Sequence, residues 1–402
     1  MGEDVTVAEA TTRPGRTRAG PALLAAAVIL VAFNLRPAIT SVGPVLDQAR
    51  STFGATAGWV GLLTTVPVLC LAAAGAVAPR VARWLGLRGA ITAALCAITA
   101  GLVLRILGGP SLMIAATVVA TSGVAVAGVL VPVVVRAGFP ARVGLVTGLY
   151  TAALQAGATL GFAFTPLLAD RFDGWRPALA SWAAIGAVAL AGWLAWGRPG
   201  VSSAGPAPAG HGSVFASPLA WIVTAFFGLQ AFVAFSVMNW LPLALMDRGV
   251  SRTDAGLLLG LLSIVALPVS LLVPPLAGRG RGQSGWILTL SACGAAGLLG
   301  LLLVPTTGPW QVLPWVLLLG LGMSVFSLAL TVIALRASSA ARTAGLSGMA
   351  QGIGYLIAGT GPFLVGLLHE STGGWSVPFA VLLAAVLAQA VTGALAGRPR
   401  TI

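Results

Sequence analysis

The chain has 402 residues, of which 58% are hydrophobic and only 8% charged. That composition excludes a soluble globular core, and no long hydrophilic stretch is left over for a soluble domain. The formal net charge of +13 sits at the ends of apolar runs, which fits a membrane topology and argues against a nucleic-acid surface.

Residues 1–19 read as a polar, disordered tail. Twelve apolar runs follow, each long enough to cross a hydrocarbon layer of ~30 Å. They are expected at 21–47, 57–79, 89–108, 111–135, 143–168, 176–196, 217–245, 254–277, 284–304, 310–335, 343–368 and 374–396. The first carries Asn34-Leu35-Arg36-Pro37 in its middle. An arginine at bilayer depth costs about 2.5 kcal/mol or more on insertion scales, so it is expected to face a cavity. Pro37 removes a backbone donor and frees the carbonyl of Phe33, which predicts a kink beside the charge. The second run ends at Pro79-Arg80. The third carries Arg105 near its end, where snorkelling to the interface is the expected behaviour and an external anion funnel the alternative. The fifth run is glycine-dense and contains Tyr150 and Gln155. Residues 197–216, rich in Gly, Pro, Ala and Ser, read as a flexible linker between a bundle at 20–196 and a second at 217–396, with a short tail at 397–402. The seventh run holds Gln230 and Asn239-Trp240-Leu241-Pro242. The eleventh is again glycine-dense and holds Gln351 and Tyr355.

Most arginines fall on the side of the two termini, which predicts both termini in the cytoplasm. Every carboxylate beyond the N-terminal tail lies at an external end, with none in mid-span. Proton-coupled carriers often titrate an intramembrane Asp or Glu, so uniport, or a proton carried by the substrate, is expected. Cys70, Cys96 and Cys293 have neither metal nor disulfide spacing.

The chain repeats internally. A shift of 200 places Arg136 on Arg336, Arg142 on Arg342, Gly148 on Gly348, Gly161 on Gly361 and Gly174-Trp175 on Gly374-Trp375. A shift of 205 places Asn34 on Asn239 and Pro37 on Pro242. Two parallel six-helix halves of this kind are the pattern of the major facilitator architecture. The fold class expected is therefore an all-α membrane protein of twelve transmembrane helices in two pseudo-symmetric six-helix bundles.

The stretch Phe33-Asn34-Leu35-Arg36-Pro37-Ala38-Ile39-Thr40-Ser41-Val42-Gly43-Pro44 closely resembles the first-helix signature of the CynX/NimT family. Asn239-Trp240-Leu241-Pro242, Gly148 to Leu154, and Met349 to Pro362 resemble its seventh, fifth and eleventh helices. The resemblance covers about residues 20–396. It implies a secondary transporter, not an enzyme, of cyanate- or 2-nitroimidazole-like solutes, working by alternating access. One departure from the wider superfamily is Pro79-Arg80, where its loop pattern has Asp-Arg. A gate built on that acid is in doubt.

The substrate site is expected around Arg36, whose forked donors suit a small anion or planar heteroatom group. A structural arginine bonded to carbonyls of a broken helix is the alternative. Thr40, one turn on, is expected to complete the polar wall unless it bonds its own helix, and Asn34, two residues before Arg36, is expected to line a different face of the site or to satisfy exposed backbone. Asn239 is expected to reach substrate from the second half, and Trp240 to stack on it or to anchor at the interface. Tyr150, Gln155, Gln230, Gln351 and Tyr355 are the other polar groups at depth, expected at substrate or at helix contacts. Pro37 and Pro242 are candidate hinges, and Arg80, Arg136, Arg142, Arg336 and Arg342 candidate gating residues. No cofactor, metal, nucleotide or nucleic acid is expected. The expected partners are the solute and membrane lipid, with the chain a monomer in the cell membrane. A drug exporter of the same fold and a transport-fold ligand sensor are the competing readings.

Overall fold

The computed structural model describes residues 19–197, 214–280, 282–304 and 308–402. The expected N-terminal tail and the linker lie almost wholly outside the described residues. Those described are helical, with no strand among them. In chain order the helices are α1 Ala19–Leu35, α2 Pro37–Thr40, α3 Leu46–Phe53, α4 Ala57–Leu104, α5 Pro110–Gly138, α6 Val143–Arg171 and α7 Trp175–Trp196. Then follow α8 Pro218–Met246, α9 Arg252–Arg279, α10 Ser284–Leu303, α11 Pro309–Met323, α12 Val325–Leu335, α13 Ala340–Thr372 and α14 Ser376–Ala396.

The helix starts follow local chemistry. Pro110, Pro218 and Pro309 open α5, α8 and α11, where a missing N–H costs nothing. Thr56, Ser251 and Ser339 cap α4, α9 and α13 through their hydroxyls. Gly54 and Gly373 close α3 and α13 in the left-handed conformation, at φ 58° and 64°.

Eleven helical stretches are long and apolar enough to span a membrane. The count differs from twelve because two expected spans are merged in α4. Gly86, at φ 70° and ψ 166°, interrupts its helical geometry between them. The chain doubles back there, since Trp59 at the start of α4 donates to the Pro110 carbonyl beyond its end at 3.0 Å. The tenth expected span is likewise split, into α11 and α12 at Ser324.

The first six spans form one half and the last six the other. Small residues let helices within a half approach closely. Gly123 of α5 lies against the Ala94 carbonyl and Ile98 of α4, and Gly294 of α10 against Gly322 of α11.

The start of α1 and the C-terminus lie at one face. Leu24 of α1 packs at Gly138, the end of α5. Ile402 N–H donates to the Arg336 carbonyl at 2.8 Å, just past α12. Ser347, near the start of α13, donates to Val129 O of α5 at 2.8 Å. At this terminus-bearing face the halves touch. Helix α13 packs on α4 through Gly75, Gly348 and Gly352, and α6 packs on α9 through Gly144, Gly148 and Pro274. Helix α12 also reaches α5 and α6, whereas α11, farther from the termini, packs on helices of its own half. The strip of α13 buried against α4 at Gly348 and Gly352 still meets α4 at Gly359, beside Val68, and ends at Phe363, which is 74% exposed. The two halves are therefore closed toward the termini and splayed at the opposite end.

Candidate functional site

The first helix is broken less at Arg36 than beyond it. Arg36 itself keeps right-handed helical geometry, φ −83° and ψ −43°. The missing Pro37 N–H leaves the Phe33 carbonyl free, and Gly157 of α6 packs there, against Phe33 O and Pro37. Regular helix ends at Ser41, and a 3-10 turn at Gly43–Val45 leads into α3.

Arg36 is half-buried. Its guanidinium lies 5.7 Å from the ring centre of Phe326 on α12, in the other half. No hydrogen bond or carboxylate partner to its side chain is found among the described residues. Tyr355 of α13 lies within electrostatic range of Arg36, and Tyr150 of α6 within range of Tyr355. The tyrosines come one from each half. Phe227 of α8 stands edge-on to Tyr355, with ring centres 5.3 Å apart, and Phe326 and Phe235 complete the wall at 6.1 Å from Phe227 and 6.2 Å from Tyr355. The Tyr150 hydroxyl is buried without a hydrogen-bond partner. A fixed cation from one half thus faces an aromatic wall from the other, with an uncommitted phenol beside them. That arrangement suits a small planar or anionic solute, which a guanidinium engages through its edge and aromatic rings through their faces.

The remaining expected site residues are placed as follows. Asn239 is exposed and donates to the Phe235 carbonyl of its own helix at 2.7 Å, one turn above the ring that touches Tyr355. Gln155, half-buried on α6, stands one turn beyond Thr151, which faces α9. Thr40 donates to the Arg36 carbonyl at 3.1 Å and is packed against Gly161 of α6. It bonds its own helix, the alternative to a polar wall. Asn34 is 1% exposed, and neither of its amide atoms has a partner. Gln230 turns into the second half, where its amide nitrogen donates to Met323 O at 3.4 Å and it lines a small cavity with Ser291 and Gln389. Trp240 donates to Pro362 O at 2.8 Å and packs near Trp375, ring centres 6.1 Å apart, within its own half. Gln351 donates to Gly128 O across the halves at 3.3 Å.

The candidate gating arginines divide. Arg336 is 4% exposed and bonds Gln283, Ala396 O at 2.8 Å and Gly397 O at 3.0 Å, all in the second half. Burial lowers its pKa below the ordinary arginine value. It clamps the end of α14 to its own bundle. Arg80 donates to Ala76 O of its own helix at 2.7 Å. Arg136 is half-buried and Arg142 exposed at the terminus-bearing ends of α5 and α6. Arg342 opens α13, its backbone N–H bonded to Ser339. Pro37 lies at the α1–α2 junction, and Pro242 inside α8.

Arg105 departs from the snorkelling expected of it. It is 1% exposed and donates Nη1 to Ala38 O of α2 at 2.7 Å, while Nε and Nη2 have no partner. The residues after Ala38 leave the regular helix, so its carbonyl lacks the usual donor four residues on, and Arg105 supplies one. Reach along the chain alone suggested the interface. The broken first helix offers a nearer acceptor, and only tertiary packing brings it there.

The sequence profile of the Major Facilitator Superfamily matches residues 22–359. The 2-nitroimidazole transporter of Escherichia coli strain K12 is 37% identical over 383 residues, covering 94% of this chain and 96% of that one. The cyanate transport protein CynX of the same strain is 30% identical over 356 residues, covering 88% and 91%. The chain belongs to the major facilitator superfamily, in the family of these cyanate and 2-nitroimidazole transporters. It is a multi-pass membrane transporter and not an enzyme. The fold agrees with solved members: FucP, crystallised in its outward conformation, superposes with a TM-score of 0.77 at 12% identity, over 93% of this transporter and 98% of that chain. The first-helix motif that carries Arg36 is therefore set in the fold its resemblance implied.

Proposed function

We propose that the transporter carries a small planar nitrogen-containing solute or anion, of the nitroimidazole or cyanate kind, across the cytoplasmic membrane by alternating access. The observation that carries this reading is the uncommitted Arg36 guanidinium of the first half facing the Phe326, Phe227 and Tyr355 wall of the second. A flat solute between them gains charge-assisted hydrogen bonds on one side and ring contact on the other. The Tyr150 hydroxyl, unpartnered in this state, is a third contact, and Asn239 and Gln155 stand at its margin. The names of the two relatives support the same solute class.

In this reading both termini are cytoplasmic, the chain acts as a monomer, and the closed, terminus-bearing end makes the present state outward-facing. Pro37 and Pro242 permit the bending that the two halves need as they rock about the site. With no mid-span carboxylate, the cycle runs as uniport or with a proton carried by the solute.

Uptake of labelled 2-nitroimidazole and of cyanate into proteoliposomes tests this, with wild type compared to Arg36→Gln. Saturable wild-type uptake, reduced at least about tenfold in a folded variant by loss of a charged hydrogen bond, supports the reading. Equal uptake by the two proteins sinks it.

A further inference from the structure

The closed end of the transporter has no ion pair among the described residues to hold it. It has instead a set of carbonyls that proline has stripped of their helical donors. Within a helix, a proline at one position leaves the carbonyl four residues earlier unbonded. Pro79 frees Gly75 O on α4, Pro132 frees Gly128 O on α5, and Pro274 and Pro275 free Ser270 O and Leu271 O on α9. Each of these four oxygens points at the opposite half. Gly128 O accepts from the Gln351 amide at 3.3 Å. Ser270 O lies 3.5 Å from the Thr151 hydroxyl, whose single proton goes to Thr147 O of its own helix at 2.8 Å. Gly75 O faces Gly348, where an added Cβ would fall 2.6 Å from it, and Leu271 O faces Gly148, where a Cβ would fall 2.9 Å away. At such separations only a glycine, with its Cα–H toward the oxygen, fits.

The receivers are not scattered. Gly148 and Gly348 are the same position of the repeat, and so are Thr151 and Gln351, each one turn further on. Two helices of equal rank, α6 and α13, thus present a glycine and then a polar side chain to proline-freed carbonyls across the interface. The next position of the repeat differs. Ser347 donates to Val129 O at 2.8 Å, whereas the Thr147 hydroxyl, fully buried, has no partner.

We propose that Gln351 is the latch residue of the terminus-bearing gate, and that it replaces the acid-dependent ion pair whose position Pro79 occupies. This rests on the alternating-access reading above. A neutral latch has a physical advantage in that role. When the halves part, water replaces Gln351 at Gly128 O, so opening forfeits little. A buried ion pair would leave charges to be resolvated at each turn of the cycle.

The test uses the full chain in lipid nanodiscs, with Cys70, Cys96 and Cys293 replaced and spin labels at Ala141→Cys and Arg279→Cys, on the ends of α6 and α9. Distances by double electron–electron resonance read the ratio of open to closed ends without any solute. Gln351→Met should raise that ratio about three- to tenfold, while Thr151→Val, which removes a hydroxyl bonded within its own helix, should leave it at the wild-type value. Pro132→Ala returns a donor to Gly128 O within its own helix and competes with Gln351, so it should open the end without touching the latch side chain. Combined with Gln351→Met it should add nothing across the interface, because both changes remove the same Gln351–Gly128 bond, the other Gln351 bond, to Ser347 Oγ at 2.8 Å, lying within α13. A distance distribution of Gln351→Met that overlays wild type would overturn the proposal, as would shifts of Pro132→Ala and Gln351→Met that multiply. Failure of nitroimidazole or cyanate uptake leaves these distances untouched, so the two readings fail separately.

Discussion

The two halves share a scaffold and differ in what they place on it. Trp175 and its repeat mate Trp375 both donate from the indole to a side chain at the splayed end, to Thr52 at 3.0 Å and to Asp247 at 2.9 Å. Asp173 and its mate Gly373 both take left-handed geometry, φ 51° and 64°, to end α6 and α13. Asn34 and Asn239, by contrast, point differently, one buried without partners and one exposed. Arg36 has Leu241 as its mate, so the cation exists in the first half alone. The second half answers with Phe227, Phe235, Phe326 and Tyr355. Backbone devices are kept where both halves must fold and hinge alike. Side chains diverge at the proposed site, where a second arginine facing the first would repel it across a poorly screened gap.

That division can be attacked directly. The strongest test moves the charge: Leu241→Arg in an Arg36→Gln background should not restore uptake, which stays at least about tenfold below wild type. Rescue would show that the halves are interchangeable at the site. Next, Arg336 and Arg136 occupy one repeat position but only Arg336 is clamped by three bonds. Arg336→Met should lower unfolding stability by about 3 kcal/mol, because buried acceptors lose their donor. Arg136→Met should stay within about 0.5 kcal/mol, both read from denaturation in detergent. Equal losses would erase the difference between the two. The smallest effect concerns the phenols. Tyr150→Phe removes a hydroxyl without a partner in this state, so stability should change by less than about 0.5 kcal/mol. Solute affinity should nonetheless fall about three- to tenfold. A stability loss with unchanged affinity would make Tyr150 a packing residue.

Much of the fold could be read along the chain. Twelve spans, a parallel repeat and the Arg36 break follow from hydropathy and from the cost of charge in hydrocarbon, which are properties of single segments. Arg36, Tyr150 and Tyr355 could likewise be singled out, since polar groups at depth are few. Their convergence could not, because it depends on how α6, α12 and α13 cross. The same gap separates expectation from structure at Gln230, Trp240 and Gln351. Each was visible as a polar or aromatic group in a span, but a span does not say which neighbour its side chain meets. Gln351 meets a carbonyl 223 residues away in the chain.

The sequence by itself determined the membrane class, the expected spans, the pairing of the halves and the presence of an arginine at bilayer depth in the first helix, because each is fixed by composition or local spacing. Only the tertiary structure decided that Arg105 is drawn in to mend the first helix, that Arg336 is a clamp, and that the carbonyls stripped by Pro79, Pro132, Pro274 and Pro275 find receivers in the other half. A proline announces a free carbonyl in its own helix. What fills that vacancy belongs to another helix, and packing alone brings the two together.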